Sequence, residues 1–156
     1  DKASRMQPGD IENQFHLGKT YISAGRFQEA LAVLEKITQL DPKNHVAYYQ
    51  MGISHFHLER YKDARESLRT SIRLNPDVAD AHFHLGLVNL KLINHKEAIR
   101  EFKEVLRLDP DNRQAHYQLG FAYTLVKDFN SAKREQKLLA AMDSDLADNL
   151  GMLIRS

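Results

Sequence analysis

Cysteine is absent from the 156-residue chain, which removes disulfides, thiolate catalysis and thiolate-ligated zinc together. No apolar run approaches the roughly 18 residues that a membrane-crossing helix needs, so membrane insertion is not expected. Neither sign of charge dominates: 22 basic side chains face 21 acidic ones, and the net charge of +1 supplies no bulk field for nucleic acid or an anionic surface. Motifs of catalysis are missing as well. There is no Gly-rich phosphate loop, no GxSxG, no HExxH and no pair of carboxylates in an expected cleft, so neither an enzyme, a cofactor nor a small-molecule substrate is expected. The first ten residues, DKASRMQPGD, lack the apolar core of a signal peptide and read as a flexible tail on a trimmed or processed chain. The compartment stays open between cytosol and periplasm.

What remains is an ordinary globular composition, 42% hydrophobic and 28% charged, whose length favours one compact unit. Its order is periodic. Gly18, Gly52, Gly86 and Gly120 are each 34 residues apart, as are Leu17, Met51, Leu85 and Leu119, and likewise Ala30, Ala64, Ala98 and Ala132. Pro42, Pro76 and Pro110 keep the same phase. The period sets four units at 11–44, 45–78, 79–112 and 113–146.

Each unit reads as two helices. HVAYYQMGISHFHL carries apolar residues at helical spacing without proline, and LDPKN, LNPDV and LDPDN close the second halves with a proline that cannot continue a helix. A glycine inside a helix costs roughly 1 kcal/mol against alanine, so four in register need a reason. Close approach of the two helices, with only alanine at the twentieth place, supplies one. After the fourth unit, DLADNLGMLIR sets Leu146, Leu150, Leu153 and Ile154 on one helical face. A capping helix over 147–156 is expected, with an arm reaching a neighbouring molecule as the alternative.

Over residues 11–146 the sequence resembles the tetratricopeptide repeat family. The family pattern is met in the fourth unit by His116, Leu119, Gly120, Tyr123 and Ala132, and departs from it at Gln136, at an aromatic place, and Ser144, at the proline. The resemblance implies an all-α fold, a right-handed α-solenoid whose first helices line a concave groove, with places two, five, six, nine, twelve and thirteen of each unit facing inward.

These places are filled in an orderly way. Place five reads Phe15, Tyr49, Phe83, Tyr117; place six reads His16, Gln50, His84, Gln118. Place nine reads Lys19, Ile53, Leu87, Phe121, and place twelve Ile22, Phe56, Leu90, Thr124. An aromatic and apolar lining with a polar seam suits a polypeptide ligand, since aromatic anchors contribute about 25 cal/mol per Å² of buried apolar area. The alternative for part of the aromatic ladder is packing between neighbouring units. Family members that hold the acidic C-terminus of heat-shock chaperones use a clamp of Lys, Asn and Arg. Phe15, Lys19, Gln50, Asp80 and His84 stand at one register of that clamp, and Tyr49, Ile53, His84, Gln114 and Gln118 at the next, so that ligand is not expected.

The second helices carry sorted charge: Lys62, Arg69, Arg73, Lys96, Arg100, Lys103, Arg107, Arg134 and Lys137 on one stripe, Asp63, Glu97, Glu101 and Glu135 beside it. A solvated face laced with pairs such as Glu97–Arg100 and Glu104–Arg107 is expected. No aromatics interleave with the cations, so nucleic acid is not expected as a partner. The twice-occurring HFHL, at 55–58 and 82–85, is out of phase with the repeat, and histidines two apart on a helix point about 200° apart. His55, His82 and His116 are therefore expected as core side chains bonded to a hydroxyl or carbonyl, with no metal. The expected function is a non-enzymatic protein-interaction module taking a peptide or amphipathic segment in the groove. The alternatives are a self-associating scaffold and a chaperone for an apolar secretion substrate.

Overall fold

The computed structural model describes residues 8–156, which form nine α-helices in chain order. They are α1 (Pro8–Ser23), α2 (Phe27–Leu40), α3 (His45–His57), α4 (Tyr61–Leu74), α5 (Ala79–Lys91), α6 (His95–Leu108), α7 (Arg113–Leu125), α8 (Phe129–Met142) and α9 (Ser144–Arg155). No residue among those described is in a strand. Helix α1 takes in the last three residues of the expected tail; the rest of that tail, residues 1–7, lies outside the described residues. No described helix is long and apolar enough to cross a membrane.

The chain divides into two compact units, the first ending at Pro76 and the second spanning Asp77–Ser156, where length alone favours one. Packing within each unit runs mainly between helices adjacent in sequence, with smaller contacts between α1 and α3 and between α7 and α9. The first unit holds α1 to α4 around Ala30, Val33, Leu34, Ile37 and Ala47. In the second, Ala98, Phe102 and Leu119 form one cluster and Leu139, Ala147 and Leu150 another.

Punctuation in the sequence sets the helix ends. Helices α2, α4 and α6 stop at Leu40, Leu74 and Leu108, two residues before Pro42, Pro76 and Pro110, because the residue preceding a proline is driven from helical backbone. Asn44 and Asn112 then start the next helix, their Oδ1 atoms accepting the amide protons of Ala47 and Ala115 at 3.0 Å each. At the equivalent place before α5, Val78 offers no side-chain cap. Between paired helices the turn needs one left-handed residue, filled by Gly25, Glu59, Ile93 and Lys127 with φ of 72°, 57°, 61° and 62°.

Close approach accounts for the periodic glycines. A Cβ on Gly86 would stand 2.6 Å from the Phe102 ring, and one on Gly52 2.6 Å from Leu68. The alanines at the twentieth place, Ala30, Ala64, Ala98 and Ala132, are all fully buried. The side chain that fills the space above each of these two glycines sits sixteen residues on, at the twenty-fourth place, not at the alanine.

Candidate functional site

On α5 the buried side chains are Ala81, His82, Leu85, Gly86, Val88 and Asn89. Facing away from them, Phe83, His84, Leu87 and Leu90 are half-buried. Phe83 packs edge-on against the fully buried Phe102, ring centroids 5.7 Å apart, and meets His84 at 5.8 Å. Its ring therefore spans core and surface. Leu87 and Leu90 pack on the same cluster.

A cleft of about 270 Å³ opens beside these residues, lined by Asp80, Phe83 and His84 from α5 and by Asn112 and Gln114 at the start of α7. A second concavity of about 310 Å³ shares Asn112 and Gln114 and continues past Asp111 and Arg113 to Asp143. Asn112 is held in place, since its Oδ1 caps α7 and its Nδ2 donates to Asp109 at 2.9 Å. Nδ1 of His84 donates to the Asp80 carbonyl at 2.9 Å. Within the second unit, places two, five and six of the third repeat thus meet place two of the fourth, as the repeat register implies.

The remaining expected residues fall differently. Tyr117 packs against Leu139, Ala147 and Leu150, so its ring is shared with the contact of α9. Gln118 and Phe121 are half-buried. In the first unit Phe15 and Ile22 pack on the core formed with α2, Tyr49, Gln50 and Ile53 are half-buried, and His16 and Lys19 are exposed. Phe56 lies edge-on to His57 and Tyr61 at 5.8 and 5.7 Å, and His57 stacks on Phe27 at 4.5 Å. Phe15, Phe83 and Tyr117 each give one face to a core cluster.

The histidines depart from expectation in their partners. His82 and His116, each only 7% exposed, donate from Nδ1 to Glu101 at 2.7 Å and to Glu135 at 2.6 Å. The partner is a carboxylate, so Glu101 and Glu135 do not belong to a solvated stripe; both are half-buried against the histidine they receive. His116 also bonds the Pro110 carbonyl through Nε2 at 2.8 Å. The signal was present in sequence: His82 and His116 are 34 apart, and so are Glu101 and Glu135. His55 has no such partner: its Nδ1 is enclosed and unbonded, and burial holds its pKa below the ordinary value. Histidines 82 and 84 turn to different neighbours, and no three His, Asp or Glu side chains converge among the described residues.

On the second helices the expected pairs form, Arg100–Glu97 at 3.2 Å and Arg107–Glu104 at 2.8 Å. Arg69 reaches Glu66 at 3.6 Å, Arg134 donates to Ser131, and Lys103 lies over the Tyr123 ring.

Antiparallel helix pairs at a 34-residue period, with glycine at each close approach and a final helix over the last pair, define an α-solenoid repeat protein. A tetratricopeptide repeat model matches residues 49–113, and a model of anaphase-promoting complex, cyclosome, subunit 3 matches residues 1–71. Among solved structures, one of MamA superposes with a TM-score of 0.84 at 28% identity, covering 94% of this chain and 86% of that one. A second MamA structure is 30% identical, with coverage of 87% and 78% and a TM-score of 0.74. YrrB, a TPR protein with an unusual peptide-binding site, shares the fold at 23% identity, with coverage of 90% and 74% and a TM-score of 0.81. No curated protein sequence matches. The chain belongs to the tetratricopeptide repeat family.

Proposed function

We propose that this protein is an interaction module that binds an extended peptide or amphipathic segment of a partner protein along the faces of its first helices. The observation that carries the reading is the half-buried row Phe83, His84 and Leu87 beside the α5/α7 cleft. A ring with one face in the core and the other at a cleft is rigid before a ligand arrives, so little side-chain entropy is lost on binding. Aromatic side chains, phenylalanine included, are enriched in protein interfaces relative to the rest of the surface. In the first unit Tyr49, Gln50 and Ile53 occupy the corresponding places at the same intermediate depth. The cations of the second helices suit this role less well, because Arg69, Arg100 and Arg107 already face carboxylates.

Isothermal titration with a captured partner peptide tests the reading. Phe83→Ala should weaken binding by about 2 kcal/mol or more, as truncation of a central aromatic does. Neutralising Arg69, Lys103 and Lys137 together should change affinity less than about threefold, in line with exposed charges. Loss of binding in the charge-neutralised set, with Phe83→Ala unaffected, places the site on the second helices instead.

A further inference from the structure

We infer that the open side of α1 is a docking surface for an amphipathic helix of a partner protein, built like the second helices of the repeat, with apolar side chains three and four residues apart. The surface belongs to the first unit alone and does not rest on the groove reading.

The repeat supplies an internal comparison for every position. At the seventh place Leu85 and Leu119 are 3% exposed, whereas Leu17 is 40% exposed. At the third place Ala47, Ala81 and Ala115 are fully buried and Asn13 is exposed; at the tenth, Ser54, Val88 and Ala122 are fully buried and Thr20 is exposed. Steps of four and three residues put these places on one side of a helix. That side is covered in three repeats and open in the first.

What covers it is visible inside each unit. Over α3 lies α2, whose Val33, Leu34 and Ile37 share one cluster with Ala47, and Met51 packs on it. Over α7 lies α6, whose Ala98 and Phe102 cluster with Leu119, with Leu106 packed beside them. In both cases a second helix brings apolar side chains at helical spacing. Helix α1 meets its own second helix through a different side, where Leu34 stands over Gly18.

The open side of α1 carries no charge. Asn13, Leu17 and Thr20 form it, and the Thr20 hydroxyl is already engaged, donating to the His16 carbonyl at 2.9 Å. Glu12, His16 and Lys19 stand about 100° or more around the helix from Leu17. An ionic ligand finds no counter-charge here, whereas a helix with an aliphatic stripe would bury Leu17 as Leu119 is buried. Asn13 stands where the other repeats have alanine, so once covered it needs a hydrogen-bonding group opposite. An amphipathic helix supplies both.

A single exposed leucine is common on protein surfaces and by itself predicts no partner. The experiment separates the two. The full chain, isotope-labelled, is titrated with an end-capped synthetic peptide copying residues 26–42, which contain the helix that covers α3. The largest amide shifts should fall on Asn13, Leu17 and Thr20 and should saturate. Leu17→Glu should leave the melting curve unchanged and weaken the peptide about tenfold or more, and a peptide carrying Val33→Ser and Ile37→Ser should lose about as much, as the loss of buried aliphatic side chains requires. Leu17→Met should retain binding. Should Leu17→Glu not fold, Thr20→Glu gives the same test. No saturable shift on α1, or binding unaltered in Leu17→Glu, overturns the inference. Shifts confined to α5 and α7 overturn it as well and leave the groove reading standing. Shifts on α1 that grow as the chain is concentrated without peptide would place a second copy on this side and overturn the choice of occupant.

Discussion

At the scale of single residues, the repeat converts one position into four internal comparisons. The left-handed turn residue is Gly25, Glu59, Ile93 and Lys127, and Ile93 is the poorest choice, being β-branched at φ 61° and 76% exposed. Left-handed backbone costs a side chain with a Cβ about 1–2 kcal/mol, and Ile93 recovers little of that by burial. Ile93→Gly should therefore raise the melting temperature of the second unit by about 2–4 °C, a drop being the contrary result. The eleventh place reads Tyr21, His55, Asn89 and Tyr123, and the two polar substitutes each enclose an unbonded atom, Nδ1 of His55 and Oδ1 of Asn89. Burial lowers the pKa of His55 below 6.5, the charges of Asp63, Arg60 and Glu35 acting more weakly. The unfolded chain takes the proton first as pH falls, so the stability tied to a neutral His55 is complete above pH 6.5 and is lost as pH drops through the folded value. Melting curves at pH 7.5 and 5.0 should show His55→Tyr losing less than the parent, by about 2–4 °C; parallel losses would remove His55 as a cause. The carboxylate partners of His82 and His116 escaped the reading of sequence because Glu101 and Glu135 were assigned by charge to a surface stripe. Buried carboxylates are rare unless paired, and the matching 34-residue step of histidine and glutamate was the available clue.

At the scale of elements, helix starts, stops and close contacts were legible, because they rest on proline, asparagine and glycine, whose backbone effects are local. The last helix was legible in kind and not in register. Leu150-Gly151 follows Leu119-Gly120 by 31 residues, not 34, so α9 repeats the first-helix pattern three residues early. The connection explains the step: residues 109–112 join α6 to α7, whereas Asp143 alone joins α8 to α9. Asp143 serves both ends. Its amide donates to the Leu139 carbonyl, and its Oδ1 accepts from Leu146 at 3.1 Å. With Gln136 at the twenty-fourth place, the space over Gly120 is filled by Leu150 instead, and Gln136 meets Gly151. The helix therefore packs on α7 and α8 of its own chain, as a cap does, and the alternative of a reaching arm is set aside. Beneath it Leu139 is fully buried, while its neighbour Leu138 is 50% exposed. Leu150→Ala leaves a cavity between Gly120 and Leu139 and should cost about 2–5 kcal/mol, read as an earlier melt with α8 and α9 amides losing hydrogen-exchange protection first. Retained protection there would show that the cap is not held by Leu150.

At the scale of the whole molecule, paired helices followed from the 34-residue period with glycine and proline in phase, and the family from the resemblance of residues 11–146. The division into two units was not legible in length or period. The expected groove residues were placed by resemblance. Phe83, His84 and Gln114 come together at one cleft, whereas Tyr117 shares its ring with the cap and Phe15 with the first core. A face built from first helices predicts where a ligand must be felt. Amide chemical-shift mapping of the full chain, titrated with the captured partner peptide, tests this most directly. The largest shifts should fall on Asp80, Phe83, His84, Leu87, Gln114 and Gln118, with α6 and α8 little changed; shifts concentrated on Lys96, Lys103, Arg134 and Lys137, with α5 and α7 silent, would contradict the account.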